Sequence, residues 1–344
     1  MISHMRCIKE LSLTELKEWL KANDEPTYRA GQLFHWLYAA GVKDFDGMTN
    51  LSAPLRQKLT GQFLISPLKL SNKLVSFIDN TEKYLLELTD ERTIESVVMP
   101  YPRRCTICIS TQVGCRFHCV FCASGKKGLI RNLGQDEIIE QVVLGKQEGH
   151  KITHIVFMGM GEPLDNLDNV IKAIGVFNSP DAFNIGARRM TISTCGIPSG
   201  IRKLMDLHLQ IELSVSLHAA SDELRSRLMP INKQYPLKTL IKELKEYIER
   251  TNRQVTFEYI LIDNLNASDQ DALLLARLLK GMNCKVNLIP FNTTAAASTF
   301  KPPIASGIKR FQTRLTAEGL KNTLRDSRGA DIQGACGQLS LSTR

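Results

Sequence analysis

From about residue 150 onward, short apolar runs alternate with amphipathic stretches, and this alternation restricts the chain to very few folds. Strand candidates are Ile152–Met158, Arg189–Thr194, Gln210–Leu217, Gln254–Ile262, Lys285–Ile289 and Asn322–Arg325. Helices fit between and around them at Gln135–Glu148, Asn166–Phe177, Pro198–Leu207, Pro236–Asn252, Ala267–Met282 and Ala305–Glu318. Repetition of this kind predicts an α/β fold, a closed or partial βα barrel with right-handed crossovers. In such a barrel the chemistry belongs at the C-terminal ends of the strands.

The first hundred residues follow a different pattern. Apolar residues at helical spacing predict helices over Leu11–Leu20, Tyr28–Ala39 and Ser52–Gln62, with Ser12 or Thr14 as the first cap. Three β-rich runs follow, Lys73–Ile78, Lys83–Leu88 and Glu95–Val98, separated by Asp79-Asn80 and Asp90-Glu91 turns. The expected organisation is a small N-terminal helical domain over 1–66, a short β-rich connector over 67–100, and the barrel with a C-terminal segment over 101–344.

Cys115, Cys119 and Cys122 stand at CxxxCxxC spacing. Three thiolates so close can hold three corners of a cubane iron–sulfur cluster and leave the fourth iron open to another ligand. Phe117 and Phe121 lie among them and would shield such a cluster from water. Two blander uses compete. A zinc site would need a fourth Cys or His, and His118 sits awkwardly inside the motif; three inert thiols would simply fill core space. Nine cysteines in all, several clustered, argue against a secreted disulfide framework. No run is long enough to span a membrane, and the start lacks an apolar leader, so a cytoplasmic protein is expected.

Charge is distributed unevenly. Residues 1–100 carry 12 Lys and Arg against 13 Asp and Glu, and the remainder 32 against 22, within a net charge of +9. A basic surface around a reactive centre suits a polyanion such as nucleic acid, although a generic solvated surface is the simpler reading.

Further candidates fall at strand ends. Gly159-Met160-Gly161-Glu162-Pro163 offers close backbone approach and a carboxylate for an ammonium group. Ser193 and the Ser216-Leu217-His218 run offer hydroxyls and an imidazole, while Asn292 offers an amide. Ordinary turn and capping roles stay open for each. Cys336, between small neighbours, and Cys108, seven residues before Cys115, are candidate nucleophiles if nearby cations favour their thiolates. Cys7, Cys105, Cys195 and Cys284 are read as inert.

The stretches Arg103–Leu133, Phe157–Asn166, Arg189–Pro198 and Arg325–Leu339 together resemble the bacterial adenine-C2 RNA methyltransferases of the RlmN family, radical S-adenosylmethionine (AdoMet) enzymes that modify 23S rRNA and tRNA. The resemblance implies a barrel of the radical-SAM type and a [4Fe–4S] cluster on Cys115, Cys119 and Cys122. It assigns AdoMet, used twice per turnover, to Gly161, Glu162, Ser193, Ser216, Leu217, His218 and Asn292. It also makes Cys336 the methyl-carrying cysteine, Cys108 its partner thiol in a transient disulfide, and Glu95 the proton acceptor. Direct methylation of C2 would be slow, because that carbon is electron-poor and lacks a lone pair; the family's route runs through S-methylated Cys336 and a covalent protein–RNA link.

By the same resemblance the partners are 23S rRNA, tRNA and an electron donor such as flavodoxin. The chain is expected to be a monomer, and its N-terminal helices either grip RNA by shape and phosphates or serve a purely structural role. Cfr-type C8 methyltransferases share the cluster and both cysteines. However, Gly161-Glu162-Pro163, Cys195-Gly196-Ile197-Pro198, Pro290-Phe291-Asn292 and Ser327-Arg328-Gly329 look more like the C2 enzymes. Two departures from the family pattern are Thr293, where proline is usual, and the loop Ser124-Gly125-Lys126-Lys127.

Overall fold

The computed structural model describes residues 5–294 and 297–341. Met1–His4, part of the start read above for an apolar leader, lie outside the described residues. No described helix is long and apolar enough to cross a membrane.

The N-terminal layer is helical. Strand β1 (Arg6–Cys7) leads into α1 (Leu13–Ala22), α2 (Arg29–Phe34) and α3 (Ala53–Gln62), which ends in β2 (Phe63–Leu64), parallel to β1. Ser12 caps α1: its hydroxyl accepts from the Glu15 amide at 3.2 Å while Glu15 accepts from the Ser12 amide at 2.7 Å. A π-helical turn, His35–Ala40, prolongs α2 until Gly41 adopts φ +67°.

The strands β3 (Leu68–Val75), β4 (Glu82–Leu88) and β5 (Thr93–Tyr101) form an antiparallel meander that continues through β6 (Arg104–Cys108) into the main sheet. The sequence predicts the first β-rich run over 73–78, whereas the strand stops at Val75 and leaves Phe77 and Ile78 in the turn. A small hairpin, β7 (Gln112–Gly114) and β8 (Leu129–Asn132), then carries the cysteine loop.

Beyond it run α4 (Gln135–Gln147), β9 (His154–Phe157), α5 (Leu167–Asn178), β10 (Met190–Thr194), α6 (Pro198–Met205), β11 (Glu212–Ser216), α7 (Asp222–Leu228), α8 (Leu237–Thr251), β12 (Val255–Leu261), α9 (Asp269–Leu279), β13 (Cys284–Pro290), α10 (Ala305–Ala317) and β14 (Asn322–Leu324). The alternation matches the sequence reading apart from α7, which is too short for its apolar spacing to stand out.

One ten-stranded sheet has the order β14-β13-β12-β11-β10-β9-β6-β5-β4-β3, parallel from β6 to β14 and antiparallel from β3 to β6. It is a partial barrel, because β14 does not pair back onto β3. Segment 67–100 is thus built into the barrel sheet. Helices cover the outer face by a simple rule. In α8, Leu237, Leu240, Ile241, Leu244 and Tyr247 recur at three- and four-residue steps and are all buried. Every residue of β12 is buried, as expected of a parallel strand covered on both faces.

The N-terminal helices share this core and dock on α4. Lys9 and Glu140 form a buried ion pair at 2.5 Å, and the Lys146 ammonium donates to the Tyr38 and Ala39 carbonyls at 2.7 Å each. An unpaired charge at that depth would be costly, so the pair constrains how the two layers meet.

Candidate active site

The cysteine loop is shaped by its glycines. Gly114 has φ +81°, and a Cβ there would lie 2.0 Å from the Gly128 carbonyl oxygen, so the hairpin can close only on glycine. The Cys115 amide donates to that same oxygen at 3.0 Å. Cys115, Cys119 and Cys122 all line one cavity of about 160 Å3, with Phe117 and Phe121 between them. Burial pushes all three thiols up, Cys115 to about 12. His118 turns away: its Nδ1 lies 2.9 Å from the Gly125 carbonyl within its own loop. No group of three His, Cys, Asp or Glu side chains among the described residues is arranged to hold a single ion. Three separate thiols around a cavity suit a cubane, which asks one sulfur of each iron, better than a mononuclear site.

Strand ends supply the rest of that cavity. Gly161, Glu162, Ser193, Ser216 and His218 are on its wall. A Cβ on Gly161, at φ +101°, would sit 2.6 Å from the Gln112 Cβ. Its tight turn directs Glu162 inward, where the carboxylate accepts from the Leu164 amide at 3.0 Å and the Cys195 amide at 2.7 Å. Burial raises the Glu162 pKa, opposed by those hydrogen bonds. Burial also lowers His218 to about 3, so its ring is neutral; Nδ1 accepts from the Ile260 amide at 3.0 Å and the ring packs edge-on against Phe121.

Leu217 and Asn292 stand differently. Leu217 is buried in the core and joins through its backbone, its amide donating to Glu258 and its carbonyl accepting from Arg225. The Asn292 amide donates to the Cys336 carbonyl at 3.2 Å, so it supports the C-terminal segment.

That segment crosses the open side of the barrel and is pinned along its length. Arg328 donates to the Pro100 carbonyl at 2.8 Å, Ser76 to Asp331 at 2.8 Å, the Ala123 amide to the Gly337 carbonyl at 2.8 Å, and Ser124 to the Leu339 carbonyl at 2.7 Å. A second cavity of about 670 Å3 opens beneath it, lined by Cys108, Val97, Met99, Tyr101 and Arg325 among others. Cys336 lines both cavities. Its side chain is exposed inside this recess, and the surrounding protein pushes its thiol up while Arg325 pulls it down. Buried Cys108 is raised to about 12 by burial and then by Cys336, again opposed by Arg325. Both thiols are free. Glu95 shares a strand face with Val97 and Met99. Its carboxylate is held by the Lys83 ammonium at 3.0 Å and the Ser340 amide at 2.8 Å.

Three residues that the motifs did not reveal complete the site. Arg225 on α7 is 1% exposed and donates to the Cys195, Ser216 and Leu217 carbonyls and to Asn232, at 2.8 to 3.1 Å. Glu258 on β12 accepts from Ser214 at 3.1 Å and Asn287 at 3.0 Å and faces Arg325 at 3.5 Å. Cys195, read as inert, lines the smaller cavity. Cys195 stands in the Cys195-Gly196-Ile197-Pro198 run, whereas Arg225 and Glu258 have no local signature; an isolated Arg or Glu becomes legible only when distant strands bring its partners together.

Two family models match the chain: the Radical SAM superfamily over residues 109–276 and the ribosomal RNA large subunit methyltransferase N-terminal domain over residues 8–65. A probable dual-specificity RNA methyltransferase RlmN of Clostridium novyi is 44% identical over 97% of this chain and 98% of its own. A relative with the same description from Alkaliphilus oremlandii is 47% identical over 96% of each. The crystal structure of a radical SAM methyltransferase from Sphaerobacter thermophilus superposes with a TM-score of 0.94 at 44% identity, covering 97% of this chain and 99% of that one.

Proposed function

The chain belongs to the RlmN family of radical SAM RNA methyltransferases, and from that premise we propose that it methylates C2 of adenosine in 23S rRNA and tRNA through a methyl group carried on Cys336. The observation that carries the reading is the position of Cys336 on the wall shared by two cavities, one ringed by the three loop thiols and the other holding Cys108. A group transferred between two bound molecules has to pass such a point.

Cys115, Cys119 and Cys122 would hold the [4Fe–4S] cluster, with Gly161, Glu162, Ser193, Ser216 and His218 around AdoMet. When bound, these groups supply one-electron chemistry that side chains lack, fed by a donor such as flavodoxin in the cytoplasm. The chain's own residues do the remainder. Arg325 favours the Cys336 thiolate as methyl acceptor, and Phe117, Phe121 and Met229 keep water from the smaller cavity. Once the one-electron chemistry has taken a hydrogen atom from the S-methyl group and an electron from the adduct that its methylene forms at C2, Glu95 takes the C2 proton. Cys108 attacks the Cys336 sulfur, the carbon–sulfur bond breaks, and its electron pair goes to the methylene carbon, which is protonated to methyl. A Cys108–Cys336 disulfide forms, and an external dithiol supplies the two electrons and two protons that return it to free thiols.

Cys108→Ala is expected to stop the last exchange, so a covalent protein–RNA adduct accumulates as a slow band on denaturing gels; no adduct would remove Cys108 from this step. For the function itself, nucleosides from rRNA and tRNA of a deletion strain are measured by mass spectrometry. Loss of 2-methyladenosine from both is expected. Loss of 8-methyladenosine would overturn the C2 assignment, and unchanged nucleosides would overturn the reading altogether.

A further inference from the structure

Phe77 is the most exposed large apolar side chain among the described residues, at 89%, and its neighbour Ile78 is 70% exposed. They occupy the tip of the β3–β4 hairpin, where water-facing residues would normally be polar. The turn is nonetheless built firmly. Buried Ser76 accepts from the Ile78 and Asp79 amides at 3.2 Å each, and the Ser76 amide donates to the Thr81 carbonyl at 2.7 Å. Asp79 accepts from the Thr81 amide at 2.9 Å and the Gly329 amide at 3.0 Å, and its carbonyl accepts from Arg328. The tip is therefore clamped to the segment that carries Cys336.

Its surroundings indicate an occupant. Ile78 and Asp79 line the same cavity as Cys108 and Cys336. Tyr101, on that cavity, lies between the guanidinium groups of Arg104 and Arg328, 4.4 and 4.3 Å from its ring centroid. Arg103 in the adjoining β5–β6 turn and Arg104 at the start of β6 are both exposed. An apolar tip beside exposed guanidinium groups matches a strand that presents base faces and phosphates together.

We propose that Phe77 and Ile78 form a wedge on which an RNA base flanking the target adenosine stacks when that adenosine leaves its own stack. The proposal rests on the RNA-methyltransferase reading and names the surface that receives the substrate. Flipping a base leaves its neighbours unstacked, and an aromatic or aliphatic side chain inserted there recovers part of the loss.

The probe is a stem-loop RNA containing the target adenosine. An F77W variant keeps an aromatic face at the tip, and its added indole fluorescence should be quenched when the RNA binds. F77A/I78A should bind the RNA about ten- to a hundredfold more weakly, while Cys336 is still S-methylated without RNA. Unchanged kcat/KM and RNA affinity in F77A/I78A, or no quenching in F77W, would overturn the wedge. So would loss of a dimer in F77A/I78A, which would make the tip a contact between copies. Absence of methylation by the wild type would sink the enzyme reading instead, and the quenching still tests the wedge.

Discussion

Cys336→Ala is expected to remove RNA methylation, by at least about 10^4-fold, the scale seen when a covalent nucleophile is lost. On the wall shared by the two cavities the only other cysteine among the described residues is Cys122, which is proposed as a cluster ligand. Cys108 lines only the larger cavity and is absent from the one ringed by the loop thiols, so it does not stand in. Folding should be almost unaffected, because Cys336 is exposed and its anchoring contact to Asn292 uses the backbone carbonyl. The measurement is twofold: isotope transfer from labelled AdoMet to RNA, and the intact mass of the chain after AdoMet alone. Wild type should gain one methyl group and the variant none. Methylated RNA from the variant would place the carrier elsewhere.

Arg225→Met should have the largest effect on stability. The guanidinium is buried and donates to four acceptors, three of them carbonyls at the ends of β10 and β11. Methionine fills similar space but removes those donors; the Leu217 carbonyl keeps the Ala219 amide at 2.8 Å, and each oxygen left unpaired costs about 1–3 kcal/mol where water cannot reach it. A total loss of about 3–5 kcal/mol is comparable to that of breaking a buried charged network, a large share of a typical folding free energy. The melting temperature should fall by about 4–7 °C. Arg225→Lys should rescue little, since one ammonium cannot span the fork. Because Ser216 and Cys195 line the smaller cavity, reconstituted iron should fall with stability. An unchanged melting curve would show that those carbonyls find water.

Thr293 illustrates a departure that the fold absorbs. Its carbonyl accepts from the Gln338 amide at 3.0 Å, so the loop after β13 is tied to the C-terminal segment without the usual proline. The Ser124 variation has an equally concrete use, since its hydroxyl anchors Leu339.

The candidate centre was legible where chemistry and local sequence coincide. Cys115, Cys119 and Cys122 announce themselves by spacing, and the βα alternation by apolar periodicity, because both are set by residues a few positions apart. Cys108 and Cys336 stand out in the sequence only as candidate thiols, and their roles, like that of Glu95, rest on the resemblance, since no short-range pattern links them.

Local order thus determined the strands, most helices and the three-thiol loop. The tertiary structure alone decided that the sheet stays open, that residues 325–341 cross the gap, and that Cys336 stands between two cavities. It also decided that Arg225 and Glu258 become structural anchors of the site. The reason is physical: periodicity and motif spacing record how a segment meets its immediate neighbours, whereas a buried charge is stable only against donors and acceptors that folding brings from elsewhere in the chain.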